Sequence, residues 1–232
     1  MIDQTTQKGR VLNAALACAA QKDWAKITLL DIAEAANLRV VDLRDEFNSK
    51  ESILAALLRA VDDEVLKQAP HRTKDQDPRD ALFDVIMTRF DVLAPHKAAL
   101  KSIYASGAAD FALAGPYLAS QHWMLQAAGI GTDGPLGGLR VSGLAVIYAS
   151  IFRTWLEDDD PGLARTMAAL DRRLRRGQSA LRTIEQVGDA AYRLATDTRG
   201  FLQTILRAAA GRGDDSAGAS PGKAGGADKD AP

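Results

Sequence analysis

The stretch Ile27-Thr28-Leu29-Leu30-Asp31-Ile32-Ala33-Glu34-Ala35-Ala36-Asn37-Leu38, continued by Arg39-Val40-Val41-Asp42-Leu43-Arg44-Asp45-Glu46-Phe47, decides the fold. Thr28 and Asp31 stand at capping-box spacing, so a helix starts there with an acidic side chain in its first turn. Its apolar positions Ile32, Ala35 and Ala36 are expected to face inward. Asn37 tolerates the left-handed conformation that closes a helix, and it marks the end. A short helix over Val40 to Phe47 follows at once. Two short helices closed by a tight turn form a helix-turn-helix.

Working outward, Val11, Ala15 and Cys18 share one face of a preceding helix over Thr6 to Gln21. Downstream, Asn48 and Glu51 have capping-box spacing again. The helix they open, Ser49 to about Gln68, carries Ile53, Leu54, Leu57, Leu58, Val61 and Val65 on one face. His71 to Arg79 reads as a charged connector. Beyond it, Leu82, Val85, Ile86, Phe90 and Leu93 recur at helical spacing, and further helices are expected at His96–Ala105, Pro116–Ala128, Leu139–Leu156 and Pro161–Arg176. Pro70, Pro78, Pro95, Pro116, Pro135 and Pro161 punctuate these stretches, because proline in a helix interior removes a backbone bond. Alternating β-branched runs do not occur. The fold class is all-α, with a three-helix helix-turn-helix unit at 1–54, a linking helix to about 70, and a helical bundle over 79–210. A last amphipathic helix is expected near Gln178–Ala210. The tail 211–232 is Gly, Ala, Ser, Asp, Lys and Pro without bulky apolar residues, which predicts disorder.

The chain has 232 residues, 47% hydrophobic and 25% charged, ordinary for a globular protein with a real core. The net charge of −1 does not mark the whole chain as a polyanion binder. The single cysteine, Cys18, excludes an intrachain disulfide and reads as a small apolar residue. Met1 to Arg10 is polar and lacks the apolar stretch of a signal peptide. No run approaches the ~18 apolar residues of a membrane span, so a cytoplasmic location is expected. His71, His96 and His122 lie far apart, with no metal-ligand spacing, and no catalytic residue, metal site or cofactor is assigned. Asp158-Asp159-Asp160 before Pro161-Gly162 reads as helix capping rather than a metal site. The glycine-rich stretch Gly129 to Gly138 follows no strand and lacks the Lys-Ser/Thr ending of a phosphate cradle.

The run from Ile27 to Leu38, with Leu43, Phe47 and Asn48-Ser49-Lys50-Glu51-Ser52-Ile53-Leu54, and with Val11-Leu12-Asn13-Ala14-Ala15 upstream, resembles the TetR family of transcriptional regulators over residues 10–54. The resemblance implies duplex DNA as a partner, a small apolar ligand in the body, and a homodimer formed through the two long C-terminal helices. It places DNA contacts at Thr28, Arg39, Arg44 and Lys50. The charges of this unit resist that reading. Over residues 1–50, Lys8, Arg10, Lys22, Lys26, Arg39, Arg44 and Lys50 are balanced by Asp3, Asp23, Asp31, Glu34, Asp42, Asp45 and Glu46. Phosphate contacts supply most non-specific DNA affinity, so a reader of DNA usually has a local positive excess. Either those four residues touch DNA, or a helical scaffold is retained with its DNA surface lost.

In the body, Phe83, Met87, Phe90, Ile103, Tyr104 and Trp123 are candidate ligand contacts, with Met124, Ile147, Tyr148, Phe152 and Trp155. At helical spacing such residues are more often plain core. A second resemblance covers residues 80–176. Thr88-Arg89-Phe90 with Leu93 and Pro95, Leu144-Ala145-Val146-Ile147-Tyr148, Trp155, Asp158-Asp159-Asp160-Pro161, and Thr166-Met167 with Leu170-Asp171 and Leu174 look like the lipid-binding accessory protein of ubiquinone biosynthesis. That family has a TetR-like fold without DNA regulation. The likeness implies a bound lipid and peripheral membrane contact through residues 181–206, which carry Leu181, Ile184, Val187, Ala191, Leu194, Phe201, Leu202 and Ile205. Arg172, Arg173, Arg175 and Arg176 form a basic cluster just before it, either a solvated helix face or a surface for anionic lipid.

Overall fold

A computed structural model describes residues 2–107, 111–134, 136–181 and 183. Helix α1 spans Gln7–Gln21, α2 Leu29–Ala35, α3 Val40–Glu46, α4 Lys50–Gln68, α5 Pro78–Leu93, α6 Lys97–Ala105, α7 Phe111–Ala127 and α8 Gly137–Leu156. A further helix, α9, runs over 164–181, and single 3-10 turns sit at Trp24–Lys26 and Ala94–His96. No strand occurs among the described residues. Met1–Leu181 form one compact unit.

Local chemistry sets the boundaries. Thr6 caps α1, its hydroxyl accepting from the Gly9 N–H at 3.0 Å. Asp77 caps α5, with Pro78 at the first helical position, where its missing N–H costs nothing. The box that opens α4 is Ser49 with Ser52, not Asn48 with Glu51: the Ser52 N–H donates to Ser49 Oγ at 3.1 Å and the Ser49 N–H to Ser52 Oγ at 3.2 Å. Pro116 lies inside α7 instead of starting it, so the expected break there is absent. The acidic run caps α9, as its spacing suggested. Asp158 accepts from the Thr166 N–H at 2.8 Å and its hydroxyl at 2.6 Å, while Asp160 accepts from the Gly162 and Ala164 N–H groups, both at 3.1 Å. Helix α9 covers the helix expected at Pro161–Arg176 and runs on without a break to 181, into the start of the separate last helix expected near Gln178–Ala210. The rest of it, with the proposed membrane face and the tail, lies outside the described residues.

Helix α4 organises the packing. It lies against α1 on the helix-turn-helix side and against α5 and α7 on the body side, while α7 packs on α8 and α1 also packs on α6. Its stripe of Ile53, Leu54, Leu57, Val61 and Val65 is buried, and each such side chain contributes about 1.5–3 kcal/mol. α9 closes on the body through Ala169, Leu170 and Leu174. Its backbone comes so close to α8 that a Cβ at Gly177 would lie 3.0 Å from Ile147 Cδ1.

One charged pair interrupts the apolar core. Asp62 occupies the buried stripe of α4 and bonds Arg89 of α5, whose side chain is 1% exposed. Ser120 of α7 donates its hydroxyl to the same Asp62 oxygen at 2.7 Å, and Arg89 Nε donates to the Tyr148 hydroxyl of α8 at 3.0 Å. Burial alone would ease the proton off Arg89, but Tyr148 and Asp62 outweigh it and hold the guanidinium charged. Removing one partner strands the other charge, so Arg89→Ala is expected to cost about 3–5 kcal/mol in chemical denaturation. The double replacement Asp62→Leu with Arg89→Met should recover most of that loss. Equal instability in both variants would show that the pair does not carry this cost.

Candidate nucleic-acid interface

The helix-turn-helix is assembled by backbone bonds that its sequence makes available. Thr28 and Asp31 form the full capping box: the Asp31 N–H donates to Thr28 Oγ1 at 3.1 Å, and the Thr28 N–H donates to Asp31 Oδ2 at 2.7 Å. Asn37 takes a φ of 54°. The Leu38 N–H then reaches the Ala33 carbonyl at 2.9 Å and the Asn37 N–H the Glu34 carbonyl at 3.0 Å. That double closure is a Schellman motif, and it fixes the angle between α2 and α3. Ile32, Ala33 and Ala36 face the core, while Ala35, expected inward, is exposed. Leu43 and Phe47 anchor α3 from below. Gln7 of α1 adds a strut, donating to the Asp42 carbonyl at 2.8 Å.

This frame presents Val40, Val41, Arg44, Asp45 and Glu46 of α3 to solvent. Chains of similar build are known. The chain resembles a TetR transcriptional regulator from Nitrosomonas europaea at a TM-score of 0.58 and 21% identity, over 75% of this chain and 98% of that one. It is similar to one from Rhodococcus sp. RHA1 at 0.57 and 20%, over 75% and 96% of the two chains. A TetR-family regulator from Streptomyces coelicolor matches 88% of this chain and 97% of its own at 0.52 and 16%. The fold is TetR-like. No protein-family model matches the sequence, and no curated protein does.

Within the TetR-like frame, the four residues expected at DNA have unequal freedom. Arg44 is exposed, with Asp45 4.0 Å away. Arg39 is exposed but folded back on Asp42, donating through Nε at 2.9 Å and through its terminal nitrogen at 2.7 Å. Asp42 also accepts the Arg39 N–H at 3.2 Å, so it caps α3 and neutralises Arg39 at once. These bonds hold the Asp42 carboxyl below its ordinary range. Thr28 spends its hydroxyl proton on Asp31 at 2.8 Å. Lys50 is turned inward: its ammonium donates to the Trp24 carbonyl at 2.7 Å and the Ile27 carbonyl at 2.9 Å, and it lies 4.8 Å from the centre of the Trp24 ring. Lys22 pairs with Asp31 at 3.5 Å and Lys26 with Asp23 at 3.9 Å. Every basic residue from Lys22 to Lys50 is thus engaged, while Lys8 and Arg10 are exposed.

The body's candidate ligand contacts divide into groups. Phe90, Met124, Tyr148 and Trp155 are buried. Phe90 stacks on Tyr148 at 5.7 Å and on Trp155 at 5.3 Å, and Phe152 adjoins both Tyr148 and Trp155. Phe83, Met87, Ile103 and Ile147 are half-buried against this core. Tyr104 and Trp123 are exposed. Phe83 borders a shallow depression of about 390 Å³ that includes Met167 and Leu174. Gln121 of α7 is fully buried with its side-chain oxygen unpaired. Sequence reading missed the Asp62–Arg89–Tyr148 network, although a charge inside each of two apolar stripes was the available signal. Among the described residues, no group of three or more His, Cys, Asp or Glu could hold a metal, and no helix is long and apolar enough to cross a membrane.

The Arg39–Asp42 lock makes a measurable statement. Asp42→Asn releases Arg39 and removes a carboxylate from the outer face. Affinity for duplex DNA of mixed sequence is expected to rise several-fold, and log K against log salt to steepen by about one unit. Fluorescence anisotropy across a salt series reads both. An unchanged slope would mean that Arg39 does not reach phosphate once freed.

Proposed function

We propose that this chain is a transcriptional regulator that reads duplex DNA through α3 and responds to a small apolar ligand held by its α5–α8 body. The carrying observation is the fully built helix-turn-helix, with its Schellman closure and an α3 surface left open to solvent. Affinity in this reading leans on base edges more than on phosphates. Val40 and Val41 are suited to thymine methyl groups, and Asp45 or Glu46 to a cytosine amino group. Lys8 and Arg10 are exposed cations suited to meet phosphates, joined by Arg44 once it leaves Asp45 and by Arg39 once its lock opens.

A salt titration with genomic operator fragments tests this. The expected slope of log K against log salt is no steeper than about −3.6 per protomer, against the steeper values of strongly basic readers. The double variant Arg39→Ala with Arg44→Ala should weaken specific binding roughly tenfold, each tenfold step being about 1.4 kcal/mol. Flat occupancy across the genome, with no sequence-preferring duplex in vitro, would refute the regulator reading.

The engagement of the basic residues from Lys22 to Lys50, by acids or by backbone carbonyls, favours one second reading: a lipid-binding accessory protein on a TetR-like scaffold, as in ubiquinone biosynthesis. Extraction of a bound isoprenoid or phospholipid from the purified protein, together with absent DNA occupancy, would select it.

In either reading we propose a homodimer through α8 and α9. Leu139, Gly143 and Val146 follow one line along α8; Val146 is 72% exposed, and Met167 of α9 is exposed as well. Val146→Glu is expected to shift the mass measured by light scattering from dimer to monomer at micromolar concentration. A monomeric wild-type chain would refute the homodimer, and a variant that stays dimeric would place its interface elsewhere.

A further inference from the structure

We infer that the groove between α8 and α9 is a binding site for a soluble anion carrying two or more phosphoryl groups. Arg165, Ala169, Arg172, Arg173 and Arg176 follow one stripe of α9 and, with Thr154 of α8, line a depression of about 430 Å³. Among the described residues, no carboxylate lines it. The depression beside Phe83 is the contrast, because there Arg79 and Arg175 are matched by Asp80, Asp84 and Asp171.

The guanidiniums of the groove are differently placed. Arg165 is braced by Glu157 at 3.5 Å, and Glu157 also receives Arg153 Nε at 3.4 Å. Arg175, one position off the stripe, is spent on Asp171 at 3.0 Å. The guanidiniums of Arg172, Arg173 and Arg176 have no ion pair or hydrogen bond with any described residue. Arg172 and Arg176 are four apart and Arg173 and Arg176 three apart, spacings at which like charges on a helix repel. An unligated stripe of this kind carries an electrostatic penalty that an anion relieves.

Guanidinium forks match phosphoryl oxygens two at a time, which a compact ammonium cannot do. The stripe from 165 to 176 covers about 16 Å of helix, longer than a single phosphate needs. Thr154 donates its hydroxyl to the Ser150 carbonyl at 3.2 Å, so the arginines are the donors at hand. A nucleoside polyphosphate is the size and charge that such a groove accepts. The inference is independent of whether α3 binds DNA.

The test uses the full chain and inorganic tripolyphosphate, titrated calorimetrically at physiological ionic strength. One saturable site per protomer is expected. The double variant Arg172→Gln with Arg176→Gln should weaken it roughly tenfold or more. Arg175→Gln should leave it unchanged, and thermal melts should show both variants folded. Vesicles of phosphatidylcholine with phosphatidylglycerol form the second arm. Binding of tripolyphosphate without vesicle binding supports a soluble ligand. Vesicle binding alone, lost in the double variant, overturns the soluble source in favour of a lipid headgroup. Absent saturable binding, tripolyphosphate binding that the double variant retains, or binding of duplex DNA alone at these arginines would overturn the site itself.

Discussion

The Asp62–Arg89 pair is the contact on which the rest of the arrangement depends. It is a charge in the buried stripe of α4 answered by a charge in the buried stripe of α5, with α7 and α8 contributing Ser120 and Tyr148. Apolar packing is tolerant of sliding, since one leucine contact exchanges for another at small cost. A buried ion pair is not, because a displaced partner leaves an unsolvated charge. Four helices are thereby held to one register around a single point. α4 also packs on α1, so the register of the body is carried to the helix-turn-helix. A second tie runs through α6: the Trp24 N–H donates to Ser102 Oγ at 2.9 Å, and Ser102 donates to the Lys22 carbonyl at 3.1 Å.

The same economy of charge governs the outer face. Lys50 stabilises the loop before α2 by filling two carbonyls and covering Trp24. Arg39 stabilises the start of α3 by pairing with the carboxylate that caps it. Each interaction supports the local fold and withdraws a cation from any phosphate nearby. A helix-turn-helix with these internal commitments is well formed and without a positive excess at once. The two properties share one cause.

Much of the fold was legible because it is written in local chemistry. Thr6, Thr28 and Asn37 set helix ends through bonds within a few residues, and the apolar stripe of α4 needed only its period. The misplacements are of the same local kind. Ser49, rather than Asn48, satisfies the orphan N–H groups of α4, and two serines served where an acidic partner was expected. Pro116 is held inside α7, where propensity alone predicts a boundary. The site was less legible. Thr28, Arg39, Arg44 and Lys50 could be named from the pattern, but the inward turn of Lys50 depends on carbonyls at 24 and 27 and on the Trp24 ring. The arginine groove was visible only as a basic run. Its meaning lies in which of those arginines find acids among the described residues, and Arg175 does while Arg172, Arg173 and Arg176 do not. That difference is one of helix face and neighbouring helix, which sequence spacing does not supply.

The aromatic cluster bears on how an apolar ligand would be accommodated. Phe90, Tyr148, Phe152 and Trp155 fill their space by touching one another, and Tyr148 accepts from Arg89. A ligand entering at this centre would have to separate stacked rings and break into the Asp62–Arg89 network. Phe83, Met87 and Ile147 are only half-buried, so a ligand meeting them would break fewer contacts. Deeper penetration would disturb the charge pair that fixes α4. An apolar ligand that displaced Tyr148 would therefore reach the charge pair, because the ring that packs on Phe90 is also the one that accepts from Arg89.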